Sequence, residues 1–246
     1  MARETHPTHI TGLESFNFSR PLTTVDVVIF AIKGDTLQVL LVQRMAETGE
    51  PFPSMWALPG GFVRENEDLH AAALRELREE TGIRGATVEQ VETVGTPGRD
   101  TRGHIITVVY AGLTSADRHQ LRPQGDVTAA RWFDVAGPDP RPSLAFDHED
   151  LLQRALKHLR RRLAEAPICF ELLPAEFTLS ELQALTEAIL GQALDRRNFR
   201  RKVLELGLVE PTGGTRREGA HRPAQLFRFV PGAFERHAGR SRWLPF

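Results

Sequence analysis

Alternation of apolar and polar positions predicts several strands and one helix in the first half of the chain. Four runs of apolar and β-branched residues are typical of strands, and they cover residues 24–32, 37–42, 104–113 and 129–135. Lys33-Gly34-Asp35 separates the first two runs, which predicts a β-hairpin. Residues 69–81 contain neither Gly nor Pro, so a helix is predicted there, with Gly82 as its end.

A second pattern divides the chain into parts. Residues 146–165 predict a helix that leaves the strand-containing half, and Pro167 closes it. The chain has 246 residues, 41% of them hydrophobic, which is enough for one large or two modest cores. We therefore expect an N-terminal arm, a strand-containing domain and a helical domain, over residues 1–20, 21–166 and 167–246.

The helical domain has a recognisable order of elements. Thr178 and Glu181 have the spacing of a capping box, which predicts a helix that runs to about Leu190. A second helix is predicted over residues 195–206, and residues 225–230 are typical of a strand. A helix, a basic helix and a hairpin in that order predict a winged helix-turn-helix, whose second helix suits the major groove of DNA and whose wing suits the phosphates.

Three glutamates on the predicted helix over residues 69–81 suggest chemistry. Glu76, Glu79 and Glu80 lie within about a third of the helix circumference, on the apolar stripe that begins at Leu69. Carboxylates on such a face repel each other and lose hydration unless a hard divalent cation compensates them. Oxygen ligands alone favour Mg²⁺ or Mn²⁺ over zinc.

Residues 61–83 resemble the Nudix signature and depart from it at no position. The matching residues are Gly61, Glu67, Arg75, Glu76, Leu77, Glu79, Glu80, Gly82 and Ile83. The alternative is a solvated helix held by pairs such as Arg75 with Glu79, but that alternative leaves the register of Glu67 and both glycines unexplained. The chain is identified as a member of the Nudix hydrolase family. The mix of strands with a helix agrees with the α/β/α sandwich that this resemblance implies.

The resemblance also implies roles for individual residues. Gly60 would offer its carbonyl to the metal ion. Glu79 and Glu80 would be the principal metal ligands, and Glu76 would be a further ligand or the base. Arg75 would orient a glutamate by ion pairing. The implied reaction is attack of a metal-activated water on a phosphorus of a nucleoside diphosphate linked to another group.

A loop after the signature bears on the substrate. Residues 98–103, Gly-Arg-Asp-Thr-Arg-Gly, resemble the Arg-Asp-Pro-Arg-Gly loop of the ADP-ribose-related Nudix subgroup, with Thr101 at the usual proline position. The resemblance implies that Arg99 or Arg102 grips a diphosphate, because a guanidinium binds phosphate oxygens bidentately. A solvated hairpin turn is the alternative.

Two further residues match the subgroup. Asp126 lies where the subgroup often places an additional acid, although an aspartate there could also simply begin a strand. His148 belongs to Phe146-Asp147-His148, which also matches. A single histidine on a helix is more often a packing or capping residue than a ligand.

Charge separates the two halves of the chain. The net charge is −1, yet residues 1–150 hold 14 Lys/Arg against 22 Asp/Glu, while residues 151–246 hold 17 against 10. A basic second half suggests a polyanionic partner, here double-stranded DNA. The cations expected to contact it are Arg196, Arg197, Arg200, Arg201, Lys202, Arg216, Arg217 and Arg222. The alternative is a basic, solvated helix bundle with an oligomerising role.

Cysteine content and hydropathy exclude other classes of protein. Cys169 is the only cysteine, so no disulfide framework is possible, and its apolar neighbours predict a buried, inert thiol. The sequence has no apolar run near 18 residues and no charged and hydrophobic leader. We expect a cytoplasmic protein without a membrane segment.

The whole arrangement resembles the Nudix-related transcriptional regulators of NAD metabolism, also over residues 170–174 and 197–202. In that family a Nudix domain senses ADP-ribose and a winged helix holds operator DNA, usually as a dimer. Many members have eroded signatures and bind without cleaving, whereas this chain keeps every glutamate. Cleavage of ADP-ribose to AMP and ribose 5-phosphate is therefore expected beside regulation. The alternatives are a protein that is primarily an ADP-ribose pyrophosphatase and, less favoured, a hydrolase of oxidised nucleoside triphosphates.

Overall fold

A computed structural model describes residues 20–46, 51–136, 141–217 and 223–233. The expected arm, apart from its last residue, and Arg222 lie outside the described residues. Within the described ranges the chain forms nine strands and four α-helices. None of these described helices is both long and apolar enough to cross a membrane.

Seven strands form one sheet in the first part of the chain. They are β1 (Leu22–Lys33), β2 (Thr36–Arg44), β3 (Trp56–Ala57), β4 (Gly60–Phe62), β5 (Glu89–Val94), β6 (Ile105–Ser115) and β7 (Val127–Asp134). Their order is β3-β2-β1-β6-β5, with β7 on β2 and β4 on β1. β1 and β6 are parallel and the other pairs are antiparallel. The predicted hairpin of β1 and β2 is confirmed.

Two helices cover the two faces of this sheet. α1 (Leu69–Thr81) packs on the face that carries Val25 and Val27, and α2 (His148–Glu165) packs on the face that carries Val28 and Phe30. Successive residues of a strand point to opposite faces, so one apolar strand serves both layers. The α/β/α sandwich is confirmed.

The second part of the chain is a winged helix. It contains α3 (Leu179–Leu190), α4 (Arg196–Glu205), β8 (Val209–Arg216) and β9 (Ala224–Phe229). Thr178 and Glu181 form both bonds of the predicted capping box, and the Asp195 side chain caps α4. β8 and β9 pair antiparallel and form the wing.

One apolar core is shared between the sheet and the winged helix. Leu151 and Leu163 of α2 belong to the same buried cluster as Phe30 of the sheet and Phe177 beside α3. Cys169 lies in this cluster too, and burial raises the pKa of its thiol to about 12, as expected of an inert cysteine. The expected boundary near residue 166 stays a prediction, since the core continues across it.

Four strands and one helix start differ from expectation. β3, β4 and β5 were not predicted, because the first two are very short and β5 carries mainly polar residues. No bounds were predicted for β8, because it contains a proline and two glycines. α2 begins at His148, two residues later than predicted, because Phe146 has a left-handed φ of 52°.

Candidate functional site

An open cleft lies beside the amino-terminal half of β1 and is lined by strand residues, by the carboxyl end of α1 and by loops that join the strands. It brings together most of the residues that the sequence indicated. The lining includes Gly60, Gly61, Glu80, Arg99, Arg102, Asp126 and His148. Glu76 and Arg75 lie immediately behind Gly61 and Phe62.

Arg75 is the centre of an ion-pair network at the base of the cleft. Its Nε and Nη2 atoms donate to the two carboxylate oxygens of Glu67 at 2.6 and 2.8 Å. Nη1 donates to Glu76 at 2.6 Å, and Nη2 also donates to the Phe62 carbonyl at 3.1 Å. The guanidinium is buried, so a bidentate carboxylate is needed to compensate its charge. This geometry agrees with the orienting role expected for Arg75 and adds a defined partner, Glu67.

The signature carboxylates differ in burial. Glu80 is buried, and its Oε2 accepts the Gly60 N–H at 3.0 Å. Burial, together with the charges of Asp126, Glu76 and Asp26, raises the pKa of Glu80 well above its ordinary value. Burial likewise raises the pKa of Glu76, against the opposing effect of Arg75.

Glu79 lies further out than the other two signature glutamates. Its side chain is 39% exposed and pairs with Arg64 at 3.2 Å and with Arg75 at 3.4 Å. Among the described residues, no three His, Cys, Asp or Glu side chains are arranged to hold a metal ion. The structure thus shows the expected ligands near one another without a preformed cluster, and their metal-binding roles stay predictions.

Two glycines allow the backbone to approach these carboxylates. A Cβ atom on Gly60 would lie 2.3 Å from the Val25 carbonyl oxygen, and one on Gly61 would lie 2.6 Å from Oε1 of Glu76. Neither position has room for a side chain, because such contacts are far inside van der Waals separation. The glycine pair is therefore required for the close packing of β4 against the signature helix.

The donor chemistry fits a hard divalent cation. The charges of Asp126, Glu76 and Asp26 add to burial in raising the pKa of Glu80, and those of Glu79 and Asp126 do the same for Glu76. A cation among them would relieve that repulsion, and oxygen donors match Mg²⁺ or Mn²⁺. The residues present thus fit the group that the fold implies.

Arg99 lies in the cleft but is already paired. Its side chain is 4% exposed, and its Nε and Nη2 atoms donate to the two carboxylate oxygens of Asp147 at 2.9 and 2.7 Å. Nη2 also lies 3.5 Å from Asp26. A diphosphate that binds the Nε and Nη2 atoms of Arg99 must therefore displace the Asp147 carboxylate or share these donors with it.

Arg102 and Asp126 are on the cleft wall as expected. The Arg102 guanidinium pairs with Asp100 at 2.8 Å and lies over the rings of Phe62 and Phe146, at 5.0 and 5.3 Å from their centroids. Asp126 lies close enough to Glu80 and Glu76 to raise the pKa of both. Roles for Arg102 and Asp126 in substrate binding stay predictions.

His148 has a structural partner. Its Nδ1 accepts the Leu58 N–H at 2.9 Å, and its Nε2 is 3.4 Å from Asp26. Burial lowers the pKa of His148, so the imidazole is neutral near pH 7. An Nδ1 atom that accepts a hydrogen bond must leave the proton on Nε2, which faces Asp26.

Sequence reasoning missed two aspartates in this site. Asp26 is buried in β1, where Thr107 donates to its Oδ2 at 2.6 Å and Arg99 lies beside it. Asp147 binds Arg99 from the start of α2. A charged residue inside the apolar run over residues 24–32 was the available signal for Asp26, because an unpaired buried carboxylate is costly. No sequence signal indicates the long-range partner of Asp147.

The exposed side of α4 carries the cations that were expected to contact DNA. Phe199 and Val203 are buried and fix the orientation of the helix. Arg196 and Arg197 are exposed at its amino-terminal end, and none of the described contacts pairs either of them. Exposed cations without intramolecular partners are available to a polyanion.

Other cations of this domain have structural contacts. Arg200 donates to Ser180 at 2.9 Å, while Arg201 pairs with Glu205 at 3.0 Å. Arg216 is bound to Glu181 at 2.7 Å and so fastens the wing to α3. Lys202 is half-buried and Arg217 is exposed on the wing, whereas Arg222 lies outside the described residues. DNA contacts by all of these residues stay predictions.

Comparison with known proteins agrees with this arrangement. The NUDIX domain family matches residues 21–155, and the family described as the NrtR DNA-binding winged helix domain matches residues 169–229. The ADPR responsive transcriptional repressor NtrR of Acinetobacter baylyi is 40% identical over 216 residues, which cover 87% of this chain and 84% of that protein.

Solved structures show the same order of domains. Shewanella oneidensis NrtR complexed with a 27mer DNA has a TM-score of 0.69 and 36% identity, covering 87% of this chain and 95% of that one. The NUDIX domain of the same NrtR complexed with ADP ribose has a TM-score of 0.52 and 39% identity, covering 58% and 90%. A Nudix domain joined to a winged helix defines the class of the molecule. The chain belongs to the NrtR family of Nudix-related regulators.

The Glu67–Arg75 pair generates a prediction about pH. The Arg75 hydrogen bonds lower the pKa of Glu67 from 4.5 to about 2 in the folded protein. A lowered folded-state pKa stabilises the fold above pH 4.5, and this contribution is lost as the pH falls toward 2. Glu67→Gln should therefore lower the free energy of unfolding at pH 7 and make it less dependent on pH below 4.5.

Urea unfolding at several pH values measures this effect. Glu65→Gln is the matched control, because Glu65 is exposed in the same loop and none of the described contacts pairs its carboxylate. Equal stability of the two variants at pH 7 would contradict a stabilising role for the Glu67–Arg75 pair.

Proposed function

We propose that this protein is an ADP-ribose-responsive transcriptional repressor that binds operator DNA as a homodimer. The observation that carries the proposal is the shared core, since the cleft and the winged helix both adjoin the same helix, α2. Ligand binding in the cleft and DNA binding by α4 therefore act on one continuous body. Arg196 and Arg197 of the winged helix have no partner among the described residues.

The DNA partner is supported by charge and by similarity. Arg196 and Arg197 extend from the amino-terminal end of α4, the end of a recognition helix that approaches base edges in the major groove. The wing, which carries Arg217, would contact the neighbouring phosphates of the DNA backbone. The Shewanella NrtR structure that aligns over 87% of this chain is complexed with a 27mer DNA. Two copies of one winged helix suit the two halves of a palindromic operator.

The ligand is supported by the cleft. Arg99 and Arg102 offer guanidinium groups to a diphosphate, and the ring of Phe146 offers a flat apolar surface to a base or sugar. The relative from Acinetobacter baylyi is ADPR responsive, and the NUDIX domain of Shewanella NrtR is complexed with ADP ribose. ADP-ribose is therefore the ligand that we propose.

The experiment that tests this function is a DNA-binding titration. A duplex operator is first selected from a random library by the purified chain, and its affinity is then measured with and without the α,β-methylene analogue of ADP-ribose. We expect the analogue to weaken operator binding by roughly 5- to 150-fold, the usual range of coupling between two sites. AMP and ribose 5-phosphate together, which lack the diphosphate link, serve as the control. An affinity that stays constant up to saturating analogue would contradict the proposed response.

A second prediction concerns the DNA surface. Arg197→Ala should weaken operator binding and, where the lost contact is to a phosphate, reduce the slope of log affinity against log salt by about one. Lys157→Ala is the matched control, because Lys157 is an exposed cation on α2 with no described contact. Equal affinities of the two variants would assign α4 to a different partner.

Hydrolysis is the second candidate function, and the complete set of signature glutamates favours it. Mg²⁺ or Mn²⁺, when bound, would neutralise the diphosphate and lower the pKa of a water molecule. Gly60, Glu76, Glu79 and Glu80 are the residues that would hold it. Arg75 keeps Glu76 in place, and Gly60 holds Glu80 through its N–H, so the chain's own contacts orient two of the three carboxylates.

We expect wild-type protein with Mg²⁺ or Mn²⁺ to release AMP and ribose 5-phosphate from ADP-ribose. Glu79→Gln should lower turnover by orders of magnitude, because metal binding supplies much of the stabilisation of the transition state. Operator binding by this variant should equal that of wild type. Glu65→Gln controls for loss of one charge nearby. Absence of AMP release from the wild type would leave the cleft as a sensor only.

A further inference from the structure

The start of α2 is part of the cleft wall. Ala145 donates its N–H to the Trp56 carbonyl at 2.8 Å, and the Leu58 N–H donates to His148 at 2.9 Å. Phe146 and His148 both line the cleft. The first residues of α2 are thus bonded to the segment that leads into the glycine pair of the site.

Asp147 occupies the N-cap position of α2 without capping it. Its side chain makes no hydrogen bond to the N–H groups of the first turn. Both of its oxygens accept hydrogen bonds from Arg99 instead, at 2.9 and 2.7 Å. Aspartate is a favoured N-cap because its carboxylate satisfies an N–H of the second or third helical residue. The Asp150 N–H already donates to the Asp147 carbonyl at 2.9 Å, so the Glu149 N–H is the capping partner left without a described bond. The Asp147 ψ of 18° is not the extended value of a capping residue, so capping requires a backbone change as well as a side-chain rotation.

A diphosphate that binds Arg99 through Nε and Nη2 competes with Asp147 for the same donors. The Arg99 guanidinium borders the cleft, and its Nε and Nη2 atoms form the fork that binds Asp147. A phosphate that binds a guanidinium bidentately requires such a fork. Two anions cannot both occupy it, so a ligand that takes these donors releases the Asp147 carboxylate.

We propose that Asp147 is a positioning residue that couples the cleft to the winged helix. In the structure it holds Arg99, and it turns to cap α2 when the diphosphate of a nucleotide takes the Nε and Nη2 donors of that guanidinium. The inference rests on the proposed function, because it describes how the ligand of the cleft alters DNA binding. Removal of the ion pair shifts the start of α2, and the new cap stabilises the shifted form.

The other end of α2 contacts the helix that precedes the recognition helix. Arg160 donates to the Ile189 carbonyl at 3.0 Å, in the last turn of α3. Glu187 of the same turn accepts the Leu194 N–H at 2.8 Å, immediately before the Asp195 cap of α4. A displacement of α2 is thereby transmitted to the carboxyl end of α3 and to the loop that positions α4.

The Asp147→Asn variant distinguishes the ion-paired state of this residue from its capping state. Asparagine retains the ability to cap a helix but cannot form the ion pair with Arg99. The variant should bind the methylene analogue of ADP-ribose more tightly, because the Asp147 carboxylate no longer competes for Arg99. Without ligand it should bind operator more weakly than wild type. Coupling is measured as the operator affinity without the analogue divided by the operator affinity with it. In Asp147→Asn this ratio should be at least roughly fivefold smaller than in the wild type, or should reach one, because fivefold is the lower limit of typical coupling.

Asp150→Asn is the matched control on the same helix turn. The Asp150 carboxylate is exposed and pairs with Arg154 at 2.8 Å, away from the cleft. This variant should keep the wild-type ratio. The inference would be overturned if Asp147→Asn also kept the wild-type ratio. It would be overturned as well if this variant lost analogue binding, because Asp147 would then support the ligand instead of competing with it.

Hydrogen exchange on the unmodified protein provides an independent measurement. If Asp147 caps α2 in the ligand-bound form, the backbone N–H of Glu149 should exchange more slowly when the analogue is bound. The Asp150 N–H already donates to the Asp147 carbonyl at 2.9 Å, so the Glu149 amide is the one that decides. Unchanged exchange at Glu149 would contradict the proposal. A wild-type protein whose operator affinity ignores the analogue would instead refute the proposed function, so the two failures are distinguishable.

Discussion

The structure depends on the burial of α2 from two sides. The helix has eight buried residues, and its apolar side belongs to a cluster that includes both the sheet and the winged helix. Apolar area removed from water stabilises a fold in proportion to its extent, so separating the domains would expose part of this helix at a substantial cost. The cleft, which begins at the first residues of α2, is consequently mechanically connected to the DNA-binding domain.

Local sequence patterns predict the elements whose stability is local. α1 matches its predicted range of residues 69–81, because a continuous run of helix formers is bounded by an Asp68 cap and by Gly82. β3 and β4 have two and three residues, and they exist only because β2 and β1 supply partners from distant parts of the chain. Only pairing across the sheet can define such strands, and no single segment of sequence contains that information.

The same distinction applies to the candidate site. Glu67, Arg75 and Glu76 lie within one turn-and-helix segment, so spacing alone indicates that they meet. The pair of Arg99 with Asp147 joins a loop to the start of a helix 48 residues later. The resemblance of the loop therefore placed Arg99 among the substrate-binding residues without revealing that its Nε and Nη2 donors are already occupied. For the metal site, the sequence predicts which carboxylates are the ligands, whereas burial and ion pairing decide how far each carboxylate is turned toward the others.

The buried thiol of Cys169 makes opening of the shared core measurable by alkylation. It is the only thiol in the chain and lies fully buried at the start of the winged helix, in the core shared with α2. A thiol with its pKa raised to about 12 reacts slowly with alkylating reagents, because the thiolate is the reactive form. Modification of this atom consequently requires the junction to open. The rate at which Cys169 is alkylated therefore measures how often the winged helix separates from the sheet domain, and the measurement needs no probe added to the chain.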